Sequence, residues 1–408
     1  MSLDTQTFCE PAGLVAGRLR LRDTPIGWAG RDFRACFARS FVEPVYEELT
    51  QGYVRSLRLD ELLFEASQVF PGLVPDASSH AADPAGAELD QAIFLREVLR
   101  SPRAGRHLLR SLQAPSPRAL MLQQEFENNG RVELASVTLE RRDGVGYLTF
   151  SAGDRLNAED EQQVVDFETA VDLVLLDDQI RVGVLRGGVM THPRYQGRRV
   201  FSAGINLKAL NAGRITLAGF LLRRELGPLR KLMAGLQLGG VTREKPWIAA
   251  VDGFAIGGGM QILLTVDHVI AESGAYASLP AAKEGIVPGV AALRLPKVGG
   301  PRLARQVILA GRRIEATEPA AAVIFDEVVE PSAMDEAIAR AVSRLAAPAV
   351  VANRRMLGLA IEPEDEFRLF MAEFAYEQAQ RIHAPDVLAK VGRFAGKGSK
   401  EGPGDGDG

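Results

Sequence analysis

The chain has 408 residues, 46% of them hydrophobic and 25% charged, with a formal net charge of −4. This length allows two or three domains of ordinary globular composition, and the near-balanced charge excludes a global basic field for nucleic acid or anionic lipid. No apolar run reaches the length of a membrane-spanning helix and the first residues carry no charged-then-apolar leader, so a cytoplasmic protein without a membrane partner is expected.

Two cysteines, Cys9 and Cys36, are too few for a disulfide framework. The histidines His80, His107, His192, His268 and His383 stand at no ligand spacing from one another, and neither HExxH nor CxxC occurs. Metal chemistry is therefore not signalled. The basic run Arg18 to Asp23 reads as a solvated face.

Residues 1–130 read as a helical domain. Apolar residues recur there at three- and four-residue steps, as in DELLFEA, LDQAIFLREVLR and GRHLLRSLQ. From residue 131 the pattern alternates strand and helix. VELASVTLERRDGVGYLTFSA reads as two strands around the turn pair Asp143-Gly144, followed by a helix with Asn157 as its N-cap. IRVGVLRGG, VFSAGIN, WIAAVDG, HVIAES and AYASLP read as β-type runs. TLAGFLLRRELGPLRKLMAGL, GGGMQILLTVDH, GPRLARQVILAG and EATEPAAA read as helical segments between or after them. This alternation gives residues 131–333 an α/β architecture with crossovers. Residues 334–395 return to helical periodicity, and 396–408 form a glycine-rich polar tail with nothing to bury.

Chemistry gathers around GFAIGGGMQ, Gly253 to Gln261. A Walker loop requires a Gly-Lys-Ser/Thr ending, and a dinucleotide fingerprint requires GxGxxG; both patterns are missing. Close backbone packing explains one or two of the glycines. Three in a row at a helix start also leave a bare N–H at the positive end of the helix dipole, open to a ligand oxygen. That geometry suits an oxyanion hole, which calls for a second exposed N–H, and the turn FSAGIN offers Ile205.

VFSAGINLKAL, EKPWIAAVDGFAIGGGMQILLTVDHVIA and LPAAKEGIVPG, in that order, resemble the crotonase (enoyl-CoA hydratase/isomerase) superfamily. Leu156 to Ala158 matches the early strand-to-helix turn that borders CoA in that family. The resemblance implies a crotonase core of repeated ββα units, with helical segments before and after it. It also implies that the Ile205 and Gly258 N–H groups hold a thioester oxygen, and that the chain assembles as a homotrimer or homohexamer. The two hydratase glutamates fall on Gln261 and Ala281, neither of which can serve as acid or base for water. Glu284 is out of register with the second of them; it reads either as a displaced carboxylate or as a helix-surface residue.

Gln261, the insertion MTHPRYQGRR, the segment RRELG at Arg223 to Gly227 and the long helical N-terminus resemble a narrower branch that oxygenates an arylacetyl-CoA. That branch implies an enzyme using no metal, flavin or haem, on the route to an arylglycine of antibiotics. Its reaction turns 3,5-dihydroxyphenylacetyl-CoA and O₂ into 3,5-dihydroxyphenylglyoxylate and free CoA. Glu159, Arg224 and Gln261 match residues that hold the ring hydroxyls, and Leu207, Ala281, Ile286 and Val387 match an apolar lining for O₂. Apart from the resemblance, Glu159 reads as a first-turn carboxylate favouring the helix dipole. Arg224 reads as a solvated or CoA-phosphate contact, and the four apolar residues read as core. Gln261 on an apolar face is harder to explain in that way, because burying an unpaired amide is costly. His192 reads as a pocket or surface residue, and no residue stands out as the base that removes the α-proton. Two other functions share these motifs: a thioester hydrolase or decarboxylase acting on an aryl-acyl-CoA, and a non-catalytic CoA-binding or assembly protein.

Overall fold

A computed structural model describes residues 30–76 and 81–396. The Arg18–Asp23 face, Cys9, His80 and the tail from residue 397 lie outside the described residues. Among those described, no helix is long and apolar enough to cross a membrane.

The strands in chain order are β1 (Arg131–Glu133), β2 (Val137–Arg142), β3 (Val145–Phe150), β4 (Val182–Gly187), β5 (Leu236–Leu238) and β6 (Val241–Arg243). They continue with β7 (Trp247–Val251), β8 (Phe254–Ile256), β9 (His268–Glu272), β10 (Tyr276–Ser278), β11 (Ile314–Glu315) and β12 (Glu327–Val329). The main sheet has the order β1-β2-β3-β4-β7-β9-β12. Its first three strands are antiparallel and the rest pair in parallel. Asp143 (φ 51°) and Gly144 (φ 78°) close the β2–β3 hairpin, the left-handed pair that a two-residue turn demands. Every residue of β7 is buried, as expected of a parallel strand covered on both faces. A second sheet, β11-β10-β8, runs alongside the glycine-rich turn that leaves β8.

Two compact units emerge. The first contains the chain up to Leu112, Leu217–Leu222 and Glu362–His383. In it, helix Glu364–Ile382 packs along helix Pro84–Arg100. Arg368, 3% exposed, caps the latter by donating to the Arg100 carbonyl at 2.7 Å. Glu88 is buried and accepts from His383 Nε2 at 2.9 Å and from the Leu217 N–H at 3.1 Å. The helix that the sequence assigns to a separate C-terminal region thus belongs to the N-terminal helices. Its buried face (Phe367, Met371, Phe374, Ala375) accounts for this better than its place in the chain.

The second unit contains Gln113–Thr216, Arg223–Ile361 and the chain from Ala384. Val182, Val184, Ile248, Ala250 and Ile270 from the sheet form its core against Met334, Ala337, Ile338 and Ala341 of helix Met334–Leu345. Two expectations are corrected here, and a third is met. Asp160, not Asn157, caps helix Glu161–Leu176, accepting from the Gln163 N–H at 3.0 Å. Asn157 is left-handed (φ 54°) and fully buried, and its amide donates to the Val200 carbonyl at 2.8 Å. EATEPAAA is not one helix: Ile314–Glu315 pairs with β10, and Pro319, lacking an N–H, opens a short 3₁₀ turn. The helical segment at residues 291–308 breaks at Gly300 (φ 74°), so its second half starts where the sequence places a helix start.

Candidate active site

Three segments of the second unit meet at the site. The Glu159 N–H donates to the Gly204 carbonyl at 2.7 Å, and the Asn206 N–H donates to the Glu159 carbonyl at 2.8 Å. On the other side, the Ile256 N–H donates to the Ser202 carbonyl at 2.9 Å. The turn Ser202–Ile205 is therefore clamped between the start of one helix segment and the end of β8. Gly204 has φ 81°, and a β-carbon there would stand 2.8 Å from the Ile256 carbonyl oxygen. Gly257 has φ 54° and ψ −114°, a backbone state that only glycine adopts readily. These two glycines bring the FSAGIN and GGG turns into contact. Neither the Ile205 N–H nor the Gly258 N–H, the latter at the first position of helix Gly258–Leu263, has an acceptor among the described residues. Two bare donors thus lie on adjoining turns.

Beside them is a buried polar cluster. Arg224, Glu225, Glu159 and Gln261 are 3%, 3%, 5% and 8% exposed. Arg224 Nε donates to Glu159 Oε2, and Nη2 donates to the Gly258 carbonyl at 2.6 Å and to Glu159 Oε1 at 3.4 Å. Arg224 Nη1 donates to Glu225 Oε1 at 3.0 Å and to Gln261 Oε1 at 2.9 Å. Burial opposes the guanidinium charge, but the Glu159 and Glu225 carboxylates more than offset it and raise the Arg224 pKa. Burial pushes the Glu225 carboxyl up, against the pull of Arg224 and Arg294.

The backbone that presents Arg224 is unusual. Leu217–Leu222 and Glu225–Leu229 are wide π-helical turns, and Pro228 supplies no N–H for an α-helical pattern. Consecutive residues Arg224 and Glu225 both end up inside. The sequence reading missed Glu225 for that reason, since neighbours on a regular helix point in different directions. Its only signal was its place in RRELG.

The apolar positions come from three helices. Leu207–Asn211 and Ala281–Glu284 each pack against Pro385–Gly396. Val387 and Ala281 are buried; Leu207 and Ile286 are half-buried. Ile286 follows the last turn, its N–H donating to the Ala281 carbonyl at 3.0 Å. Glu284, on the same short helix, is partly buried and has no ion-pair or hydrogen-bond partner for its carboxyl among the described residues; burial pushes its pKa up to about 7. His192 caps a short turn in the insertion, Nδ1 accepting from the Arg194 N–H at 3.3 Å. The insertion folds back on the site's flank, with the Tyr195 ring 5.5 Å from that of Phe254. Among the described residues no group of three or more His, Cys, Asp or Glu is placed to hold a metal ion.

Residues 140–360 match the family model described as enoyl-CoA hydratase/isomerase. A protein of Amycolatopsis orientalis named (3,5-dihydroxyphenyl)acetyl-CoA 1,2-dioxygenase is 56% identical over 376 residues, 90% of this chain and 87% of its own length. A carnitinyl-CoA dehydratase of Salmonella typhi is 32% identical over 233 residues, 54% of this chain and 80% of its own. Among solved structures, an enoyl-CoA hydratase/isomerase from Xanthobacter autotrophicus Py2 superposes with a TM-score of 0.54 at 25% identity, over 65% of this chain and 94% of that one.

Proposed function

This chain belongs to the enoyl-CoA hydratase/isomerase family, and on that premise we propose that it is a dioxygenase acting on 3,5-dihydroxyphenylacetyl-CoA. It converts the thioester and O₂ into 3,5-dihydroxyphenylglyoxylate and free CoA, without metal or organic cofactor. The carrying observation is the pairing of two bare N–H groups, Ile205 and Gly258, with a buried polar cluster that contains Gln261 in place of a hydratase acid.

The steps follow from the chemistry of the substrate. Loss of an α-proton, acidified by ring and thioester, gives an enolate whose oxygen the Ile205 and Gly258 N–H groups stabilise; one such donor contributes about 2.7–4 kcal/mol in the transition state. The enolate reduces O₂ by one electron, and the two radicals combine at the α-carbon to form a peroxide. The peroxide attacks the thioester carbonyl and expels CoA thiolate. O–O cleavage with loss of the second α-hydrogen leaves the α-keto acid. The two oxygen atoms of O₂ end in the product, and CoA leaves as the thiol.

Glu159 and Gln261 meet the ring hydroxyls, with Arg224 as the hub that holds both in place, and Leu207, Ala281, Ile286 and Val387 form the apolar path for O₂. Ala281 puts a small apolar group where a hydratase carries an acid, which removes water activation and leaves room for a gas. The chain assembles as a homotrimer or homohexamer; Met356, Leu357 and Leu359, exposed together on helix Pro348–Ile361, support an interface there.

Metal-stripped protein mixed with 3,5-dihydroxyphenylacetyl-CoA is expected to consume O₂ and release thiol in equal amounts. Thiol release without O₂ uptake would identify a thioester hydrolase instead, and neither signal would leave a CoA-binding protein.

A further inference from the structure

Arg224 has no donor left to give. A guanidinium carries five N–H groups and accepts nothing. Here Nε and one Nη2 N–H serve Glu159, the other Nη2 N–H serves the Gly258 carbonyl, and the two on Nη1 serve Glu225 and Gln261. Because a guanidinium only donates, the Gln261 atom facing it is the carbonyl oxygen. The Gln261 Nε2 is thereby turned away from Arg224, and it has no partner among the described residues. The fifth donor is used only because Glu225 is present.

Glu225 is itself fixed from two more sides. Its Oε2 accepts from the Val290 N–H at 3.3 Å, and the Arg294 charge faces it. Gly289, left-handed at φ 46°, closes the third side: a β-carbon there would stand 2.4 Å from Glu225 Oε1 and 3.0 Å from Gln261 Oε1. The turn Pro288–Val290 thus holds both oxygens against the guanidinium.

We propose that Glu225 is a positioning residue for ring-hydroxyl specificity. It occupies the spare Nη1 donor, so that the ligand meets a donor from Gln261 Nε2 and an acceptor from Glu159 rather than a competing guanidinium N–H. The inference rests on the ring-hydroxyl reading above. An amide at position 225 cannot reproduce it, because both Glu225 oxygens accept, and glutamine has one acceptor.

The test is binding rather than turnover. Calorimetry with unreactive thioether analogues of 3,5-dihydroxyphenylacetyl-CoA and phenylacetyl-CoA gives a preference ratio for the unsubstituted chain and for Glu225→Gln. The variant is expected to lose about tenfold of the preference, the size of one charge-assisted hydrogen bond, with the phenyl analogue changing less than about threefold. Equal weakening of both analogues would assign Glu225 a merely structural role and overturn the proposal, as would an unchanged ratio. If the unsubstituted chain binds both analogues equally, the ring-hydroxyl reading fails and the proposal with it. Should Glu225→Gln not fold, Glu225→Asp, which keeps the charge but draws the carboxylate back from Arg224 Nη1, is expected to lower the same ratio; a ratio it leaves intact would overturn the proposal.

Discussion

The Glu159 carboxylate lies directly against Gly258. A β-carbon on Gly258 would stand 2.4 Å from Oε1 and 2.6 Å from Oε2. Arg224 holds that carboxylate in place and also binds the Gly258 carbonyl, so the proposed ring-hydroxyl cluster and the proposed oxyanion donor share one atom network. Gly258→Ala keeps the N–H and still forces Glu159 to withdraw. The KM for the hydroxylated thioester should rise by roughly tenfold, the cost of one displaced charge-assisted bond, with the unfolding midpoint little changed. Gly258→Val drives two further methyl groups against the same carboxylate, crowding the turn that presents the Gly258 N–H, and should abolish turnover. Steady-state O₂ uptake separates the two variants, and an unchanged KM in the alanine variant would sink the shared network.

How far the sequence carried depends on which residues used local rules. The β2–β3 hairpin was legible because Asp143-Gly144 is a left-handed pair between alternating strands, and β7 because WIAAV is apolar throughout. Asn157 misled because a cap and a left-handed turn residue draw on the same side-chain chemistry; only the tertiary bond to the Val200 carbonyl decides between them. That Gln261 is buried and Gly258 opens a helix was readable from their motif. Glu225 and Gly289 were not, because their roles depend on a π-helical turn and on a contact between residues 64 positions apart in the chain (289 − 225), neither of which leaves a periodic trace. The placement of helix Glu364–Ile382 with the N-terminal helices was hidden in the same way, since amphipathic spacing says that a face is buried and not against what.

Gln261→Glu tests the claim that an amide is required. A carboxylate at 261 would become the third around Arg224, beside the buried Glu225, and the Nε2 donor would be lost. The kcat/KM for O₂ uptake should fall by at least about tenfold. No hydratase activity should appear, because Ala281 offers no second acid. Disappearance of an enoyl-CoA thioester above the protein-free rate would refute this reading of Ala281.

Lys231 supports the segment that carries Arg224. It is fully buried, with Nζ donating to Glu168 Oε1 at 3.0 Å and Asp172 Oδ1 at 2.7 Å, both also fully buried. Glu168 also pairs with Arg223 at 3.1 Å, next to Arg224 in the chain. Lys231→Met would leave two carboxylates facing each other without the ammonium, a loss on the order of 3–5 kcal/mol. The urea midpoint should drop accordingly. A shift under about 1 kcal/mol would show that water or protonation compensates the pair readily.

Glu284 gives the stability a pH dependence of definite sign. Burial raises its carboxyl from 4.5 to about 7 in the folded chain. The folded state therefore holds this proton more tightly than the unfolded state. The stabilisation is fully present below the unfolded pKa and is lost as pH rises from about 4.5 to about 7. The full shift corresponds to ~3 kcal/mol, reduced to the extent that water reaches a carboxyl only partly buried. Glu284→Gln removes the titration while keeping the shape. Its thermal midpoint should exceed that of the unsubstituted chain at pH about 8 and match it near pH 4, on opposite sides of the titration. A gain of equal size at both pH values would mean that folding leaves the carboxyl's pKa where it is in the unfolded chain, contrary to its burial without a partner.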